Sequence, residues 1–271
     1  MSAPAPAQNL YVAANGYSNP VLPIGDQPSG TIYQVIPGES PGIFARDLGT
    51  AVRGLTFNPS GDLFALSASP LGSIIQITPN GTKSTYASGI SSPFDLAFNS
   101  SGNLFVTEGT AAITPQIVEI TPGGGVTTFA SGFVEPRGLA FNKAGDLFVA
   151  DLGTSNILEI TPDGTKSVFA SGLSGPFGIA FNSAGDLFAA DTVSGDITEF
   201  APNGIESTYA TGLDHPRYLA FDNTGDLFVS NLGNPGTDDA DNDGYLTEIM
   251  PDGTKTEFRS EERRVGKECS S

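Results

Sequence analysis

Apolar segments recur along the chain with a nearly constant period. A pattern close to GLAFNxxGDLFVAD occurs five times, and its turn glycine lies at Gly61, Gly102, Gly145, Gly185 and Gly225. A second marker, Thr-Pro-x-Gly or a close variant, follows each copy, with its glycine at Gly81, Gly124, Gly164, Gly204 and Gly253. The last interval between these markers is nine residues longer than the one before it. An insertion therefore lies in the final repeat, around residues 238–244.

Each repeat predicts four short strands. In the third copy they are an inner strand GLAF, a second strand LFVAD, a third strand ILEIT and an outer strand KSVFASG. Gly-Asp and Asp-Gly pairs between apolar segments indicate hairpin turns. The middle strands are apolar at almost every position, as expected for sheets covered on both faces. Four strands in a repeat of about 40 to 45 residues predict a β-propeller, whose blades surround a central channel.

The first part of the chain contains one further, incomplete unit. Residues 8–49 read QNLYVAAN, GTIYQVIP and IFARDLG, without an inner strand. We therefore predict an all-β, six-bladed β-propeller over residues 8–258, with five complete four-stranded blades and one incomplete blade that lacks its closing inner strand. That blade is expected to have an unpaired strand edge. Residues 1–7 are predicted to be a disordered N-terminal segment.

The last residues depart from the pattern of the repeats. Residues 259–271 contain RSEERRVGKEC, which resembles the translation of a sequencing-adaptor oligonucleotide. We interpret them as an artefactual, disordered tail, and expect the native C-terminal segment to be longer. The only cysteine, Cys269, belongs to this tail, so no disulfide is expected.

The repeats resemble those of the NHL-repeat and gluconolactonase-like (senescence marker protein type) six-bladed propellers. The resemblance rests on residues 136–141 (PRGLAF), 145–151 (GDLFVAD) and 157–160 (ILEI). It implies a hydrolase in which Glu, Asn and Asp hold a divalent metal in the channel. Glu108, Asp95 and Asn231 are the nearest residue types, but the early Glu-Gly-Pro segment of that family is absent.

A second resemblance is to streptogramin lyase propellers, on residues 195–200 (GDITEF). The catalytic histidines and glutamate of that family have no evident counterparts, and His215 is the only histidine. We therefore assign no catalytic residue in this chain.

Charge limits the classes of partner. The formal net charge is -18, which would repel phosphate backbones and anionic lipids, so we expect no nucleic-acid partner. No apolar run approaches the ~20 residues of a membrane-spanning helix, so we expect no membrane insertion. The sequence MSAPAPAQ carries no signal peptide, although a bacterial, extracytoplasmic or secreted monomer is the interpretation we favour.

The residues that begin the inner strands form the candidate channel rim. Arg and Phe alternate there, at Arg53, Phe94, Arg137, Phe177 and Arg217. Beside them, at the ends of the second strands, lie Ser67, Glu108, Asp151, Asp191 and Asn231. Guanidinium groups at a channel mouth suit carboxylate or phosphate ligands. Alternatively, the arginines pair with acids or carbonyl groups of adjacent blades, and the acids cap loops.

The insertion contains a candidate metal site. Asp239, Asp241 and Asp243 precede Gly244 in a D-x-D-x-D-G pattern, which can wrap oxygen ligands around Ca²⁺. The EF-hand pattern is incomplete, and Glu248 is the candidate for a further ligand. The alternative is a solvated acidic loop.

The function expected from the sequence is therefore a non-catalytic binding or scaffold propeller, with calcium in a structural role. Its variable-loop face would take a small-molecule, carbohydrate or protein ligand. The alternatives are a divalent-metal-dependent lactonase-type hydrolase and a streptogramin-lyase-like enzyme. An enzyme would need convergent carboxylates in the channel, whereas a binding module needs only the loop face and its rim.

Overall fold

In a computed structural model, the chain forms a series of antiparallel sheets that pack face to face. The structure describes residues 10–14, 30–35, 42–49, 52–68, 72–110, 113–233 and 244–258. Within these ranges lie 23 strands and a single short 3-10 turn, Leu152–Thr154. Five sheets have four strands each, and they follow one another along the chain. The predicted β-propeller with five complete four-stranded blades is confirmed.

We number the sheets in chain order. Sheet 1 contains β1 (Leu10–Ala14), β2 (Thr31–Val35) and β3 (Gly42–Ala45). Its strand order is β1-β2-β3, which corresponds to the incomplete unit predicted from the sequence. The described residues therefore hold five complete blades rather than six. The proposed terminal segments 1–7 and 259–271 lie outside them.

Sheets 2 to 6 are the complete blades. Sheet 2 contains β4 (Val52–Phe57), β5 (Leu63–Ser67), β6 (Gly72–Ile77) and β7 (Lys83–Ile90). Sheet 3 contains β8 (Leu96–Phe98), β9 (Leu104–Thr110), β10 (Ile113–Ile120) and β11 (Val126–Ser131). Sheet 4 contains β12 (Pro136–Phe141), β13 (Leu147–Asp151), β14 (Asn156–Ile160) and β15 (Lys166–Ser171). Sheet 5 contains β16 (Pro176–Phe181), β17 (Leu187–Asp191), β18 (Asp196–Phe200) and β19 (Glu206–Ala210). Sheet 6 contains β20 (Pro216–Phe221), β21 (Leu227–Asn231), β22 (Tyr245–Ile249) and β23 (Lys255–Phe258).

The hydrophobic core lies between successive sheets. All five residues of β5, β13 and β17 are buried, because each of these second strands is covered on both faces. One cluster joins Phe105 of sheet 3 to Leu139 and Leu147 of sheet 4. Phe148 packs edge-to-face against Phe169 and Phe181, at centroid distances of 5.0 and 5.1 Å. The apolar second strand of each repeat thus becomes the centre of a blade.

The inner strands of neighbouring sheets come into backbone contact. A Cβ added to Gly138 would lie 2.6 Å from the carbonyl oxygen of Phe177. A Cβ added to Gly178 would lie 2.1 Å from the carbonyl oxygen of Arg217. Only glycine permits this approach, which brings the preceding residues together at one end of the channel. We call that end, where inner strands begin and second strands finish, the variable-loop face.

Lysines connect the sheets in pairs. The outer strands of sheets 2, 4 and 6 begin with Lys83, Lys166 and Lys255. Their ammonium groups donate hydrogen bonds to carbonyl oxygens of the preceding sheet or of the turn after it. Lys83 bonds to Arg46, Lys166 to Ser131 and Gly132, and Lys255 to Thr211. The outer strands of sheets 3 and 5 begin instead with Val126 and Glu206. These contacts therefore repeat every second sheet.

The described helical structure is limited to the 3-10 turn. Over that part of the chain, no helix has the length and apolar character that crossing a membrane requires.

Candidate ligand site at the channel rim

The five predicted rim residues lie together at the variable-loop face. The Phe94 ring centroid lies 4.5 Å from the Arg53 guanidinium carbon and 3.6 Å from that of Arg137. The Phe177 centroid lies 5.5 Å from the guanidinium carbon of Arg137 and 4.8 Å from that of Arg217. Cation–π attraction over each ring holds the arginine side chains in place. The rim is thus a continuous Arg-Phe-Arg-Phe-Arg series.

The three guanidinium groups affect one another electrostatically. Burial lowers the pKa of Arg137. Glu135 and Tyr218 oppose this effect, whereas Arg53 and Arg217 lower the pKa further. Burial also lowers the pKa of Arg217. Tyr218 opposes this effect, and Arg53 lowers the pKa of Arg217 further. Every pair among the three arginines therefore interacts electrostatically. Three like charges held this close favour an anion between them.

Each arginine has different hydrogen-bond partners. Arg53 Nη1 donates to the carbonyl oxygen of Pro93, in the connection to the inner strand of sheet 3, at 3.1 Å. Arg137 Nη2 forms an ion pair with the Glu135 carboxylate. In the described part of the chain, Arg137 Nε, Arg137 Nη1 and Arg217 Nε are buried without a hydrogen-bond partner. Buried donors without acceptors are costly, so an acceptor that reached these three N–H groups would stabilise the rim.

Tyr218 crosses the channel below the arginines. It lies on β20, and its hydroxyl is 3.4 Å from the carbonyl oxygen of Phe94 on sheet 3. Its ring packs edge-to-face against Phe177, with the centroids 5.4 Å apart. Burial raises the pKa of Tyr218, Asp95 raises it further, and the three arginines lower it. The hydroxyl is therefore protonated at neutral pH and can donate a hydrogen bond.

Asp95 takes the inner-strand position that is glycine in sheets 2, 4 and 5. Its Oδ1 accepts the N–H of Leu96 at 2.9 Å, and its Oδ2 accepts the N–H of Leu139 on sheet 4 at 3.0 Å. Burial raises the pKa of Asp95 to about 7, while the Leu139 and Leu96 N–H groups act in the opposite direction. Oδ1 thus holds the carboxylate at the start of its own strand, and Oδ2 stabilises the contact between sheets 3 and 4.

The strand-end residues hold the loops of their own sheets. Asp151 accepts the N–H of Glu135 at 2.7 Å, and Glu108 accepts the N–H of Ser91 at 3.1 Å. The Asp191 carboxylate accepts the Thr198 hydroxyl at 2.6 Å, and burial raises its pKa while Thr198 opposes this. The remaining two, Ser67 and Asn231, are buried. This geometry corresponds to the loop-capping alternative.

Of the candidate metal ligands, only Glu248 lies within the described residues. Asp239, Asp241 and Asp243 lie outside the described residues. Glu248 pairs with Phe228 in the register of β21 and β22. Burial, followed by Asp226 and Asp222, raises its pKa. These neighbours lie at the opposite end of the sheet from Tyr245, where segment 234–243 meets β22. Across the described ranges, no three His, Cys, Asp or Glu side chains form a group able to hold a metal ion.

Sequence reasoning missed two residues at the rim. Tyr218 replaces the inner-strand glycine of the repeat, and this departure from GLAF to YLAF was visible in the sequence. Glu135 lies in the connection before β12, where no repeat pattern marks it. The first could have been found by comparing the repeats; the second depended on the structure.

Solved structures with the same fold include two kinds of enzyme. A gluconolactonase from Xanthomonas campestris is 15% identical, with 74% of this chain and 75% of that chain covered and a TM-score of 0.64. A second structure is a catalytically inactive virginiamycin B lyase from Staphylococcus aureus with quinupristin. It is 16% identical, with 95% of this chain and 89% of that chain covered and a TM-score of 0.65. No protein-family model and no curated protein matches the chain. These similarities show the propeller fold.

Proposed function

We propose that the chain is a non-catalytic binding propeller that holds an anionic group of its ligand at the channel rim. The ligand is a small molecule, a carbohydrate or a protein that carries a carboxylate or phosphate. The observation that carries this proposal is the set of buried, unpartnered N–H groups on Arg137 and Arg217. An anion that accepts them would remove the cost of leaving them unpaired.

The surroundings of these donors favour an anion over a cation. The acids nearest to the rim are occupied, since Asp151 and Glu108 accept backbone N–H groups. Glu135 is the exception, because it pairs with Arg137 and its side chain is 39% exposed. The rim therefore brings three guanidinium groups together on a chain with a net charge of -18, beside acids that are already hydrogen-bonded or ion-paired.

Matched pairs of compounds test the proposal. Sugar acids and phosphorylated sugars would be compared with their neutral parent sugars by thermal unfolding, since a ligand of the native state raises the midpoint. We expect the anionic member of a pair to raise the midpoint and Arg217→Ala to abolish the rise. Lys143→Ala, on the opposite face, is the charge-matched control. Equal shifts for neutral and anionic members would contradict the proposal.

A metal-dependent hydrolase or a lyase in the channel is the second candidate. The fold shared with a gluconolactonase and a virginiamycin B lyase favours it. The residues present do not fit a lactonase metal site, because Asp95 uses both oxygens on backbone N–H groups and Glu108 accepts Ser91 and Gln116. Hydrolysis of sugar lactones that requires a divalent metal and is lost in Glu108→Gln would favour this candidate.

A further inference from the structure

The arginines of the rim follow a two-sheet period. Arg53, Arg137 and Arg217 lie on the inner strands of sheets 2, 4 and 6, whereas Phe94 precedes the inner strand of sheet 3 and Phe177 lies on that of sheet 5. Arginines on alternate sheets reach the channel from three directions. The mutual electrostatic effects among all three pairs agree with this placement. The positive charge is therefore distributed around the channel axis.

The phenylalanine rings limit the separation of the guanidinium groups. Arg53 and Arg137 lie 4.5 and 3.6 Å from one ring centroid, so their guanidinium carbons are no farther apart than these two distances together. The 5.5 and 4.8 Å distances to the second centroid limit the separation of Arg137 and Arg217 in the same way. The ring contacts therefore set upper limits on two of the three guanidinium separations and keep the arginines on one rim.

We propose that the rim is a threefold guanidinium site for a tetrahedral dianion: sulfate, phosphate, or the phosphate or sulfate monoester group of a larger ligand. This inference rests on the proposed function and narrows its ligand class. A tetrahedral oxyanion presents three oxygens around one axis, so each can accept N–H groups from a different arginine. A carboxylate has two oxygens in one plane and matches a single guanidinium fork. Two negative charges also offset the repulsion among three cations better than one does.

Two side chains adjust the affinity of this site. The protonated Tyr218 hydroxyl lies beneath the arginines, in electrostatic contact with all three, and can turn from its 3.4 Å contact towards a bound oxygen. The Glu135 carboxylate competes with the ligand for Arg137. Glu135→Gln removes that competing charge, so it is expected to tighten dianion binding by about threefold to tenfold.

Calorimetric titration of the full chain tests the inference. The probes are sulfate, phosphate, phenyl phosphate, acetate and malonate at constant ionic strength, and thermal unfolding is recorded in parallel. We expect the tetrahedral dianions to bind at least tenfold more tightly than acetate or malonate. At a concentration about one hundred times Kd, the midpoint should rise by roughly 5–10 °C. Phenyl phosphate binding more tightly than phosphate identifies a monoester ligand, and equal binding identifies the free ion.

Conservative variants separate the site from general salt effects. Arg137→Lys and Arg217→Lys keep the charge but lose the fork, so each should weaken dianion binding at least tenfold. Lys143→Gln removes a charge from the opposite face and should leave the affinity unchanged. Dianion affinity retained in both lysine variants would overturn the inference.

The outcomes also distinguish this inference from the proposed function. Tighter binding of acetate or malonate than of sulfate, lost in Arg217→Lys, overturns the tetrahedral site and leaves the anion-binding function intact. Binding of every anion that is unchanged in Arg137→Lys, Arg217→Lys and Arg217→Ala overturns both.

Discussion

Replacing Gly178 by alanine should disrupt the contact between sheets 5 and 6. The added Cβ would lie 2.1 Å from the Arg217 carbonyl oxygen and 2.9 Å from the Tyr218 Cα. Carbon and oxygen atoms in close contact are ordinarily ~3.3–3.6 Å apart, so β20 would have to retreat by about 1.2–1.5 Å. Both obstructing atoms belong to the backbone, and no change of rotamer can relieve the overlap.

The expected cost follows from this overlap. Overpacking a core typically costs about 1–3 kcal/mol, and a backbone obstruction places Gly178→Ala at the upper end, about 3 kcal/mol. For a chain of this size, that corresponds to a fall of roughly 6–12 °C in the midpoint of thermal unfolding. Circular dichroism at matched protein concentrations would record it.

Gly123→Ala is the matched control. Gly123 lies in the turn between β10 and β11, a Cβ there meets nothing within 4 Å, and its backbone is not left-handed. We expect this variant to unfold within about 2 °C of the parent chain, or slightly above it, because alanine restricts the unfolded chain. If Gly178→Ala and Gly123→Ala have the same midpoint of thermal unfolding, the inner strands are not in backbone contact and the explanation is wrong.

Three further predictions concern the acids. Asp95 has a pKa of about 7 in the folded chain, above the ~4 of an unfolded aspartate, so its contribution to stability is complete below about pH 4 and lost as pH rises through 7. Urea unfolding at several pH values should show that Asp95→Asn removes this part of the pH dependence. The change in the free energy of unfolding is at most about 4 kcal/mol, and smaller where solvent reaches the carboxylate. Parallel pH profiles of the variant and the parent chain would refute this prediction. Asp151→Ala should cost about 2 kcal/mol in the same assay, because it leaves the N–H groups of Val134 and Glu135 without an acceptor, whereas Asp151→Asn should cost less. Calcium, but not magnesium, should raise the thermal midpoint, and Asp241→Asn with Asp243→Asn should abolish the rise; no shift with calcium would exclude the D-x-D-x-D-G site.

The sequence period was sufficient to predict the strands and their order. Each repeat is a set of local hairpins, so the turn glycines and apolar strands determine which strands pair. The positions of Arg53, Phe94 and Arg137 on one rim also followed from the repeat. Their hydrogen bonds did not follow, because these depend on the spacing between sheets. Arg53 reaches the Pro93 carbonyl of the next sheet, as one alternative predicted, whereas Arg137 pairs with Glu135 in its own loop.

The metal-ligand hypothesis illustrates a second limit. Glu248 was chosen by counting along the chain from Asp239. In the structure, the pairing of Glu248 with Phe228 lies three residues along the strand from Tyr245, where the insertion joins β22. At about 3.3 Å per residue, this amounts to about 10 Å. The place of Glu248 on β22 thus follows from the strand register, which counting from Asp239 does not give.

The two-sheet period of the lysine contacts has a consequence for how a chain of this kind can change its length. Sheets with a rim arginine alternate with sheets that have a rim phenylalanine. Deleting or duplicating one sheet would place two sheets of the same type side by side, so that two phenylalanines or two arginines would be neighbours at the rim. A duplication of two sheets would preserve every lysine-to-carbonyl contact and every Arg-Phe stack. The double sheet, rather than the single blade, is thus the module by which such a ring could grow during evolution or be enlarged by design.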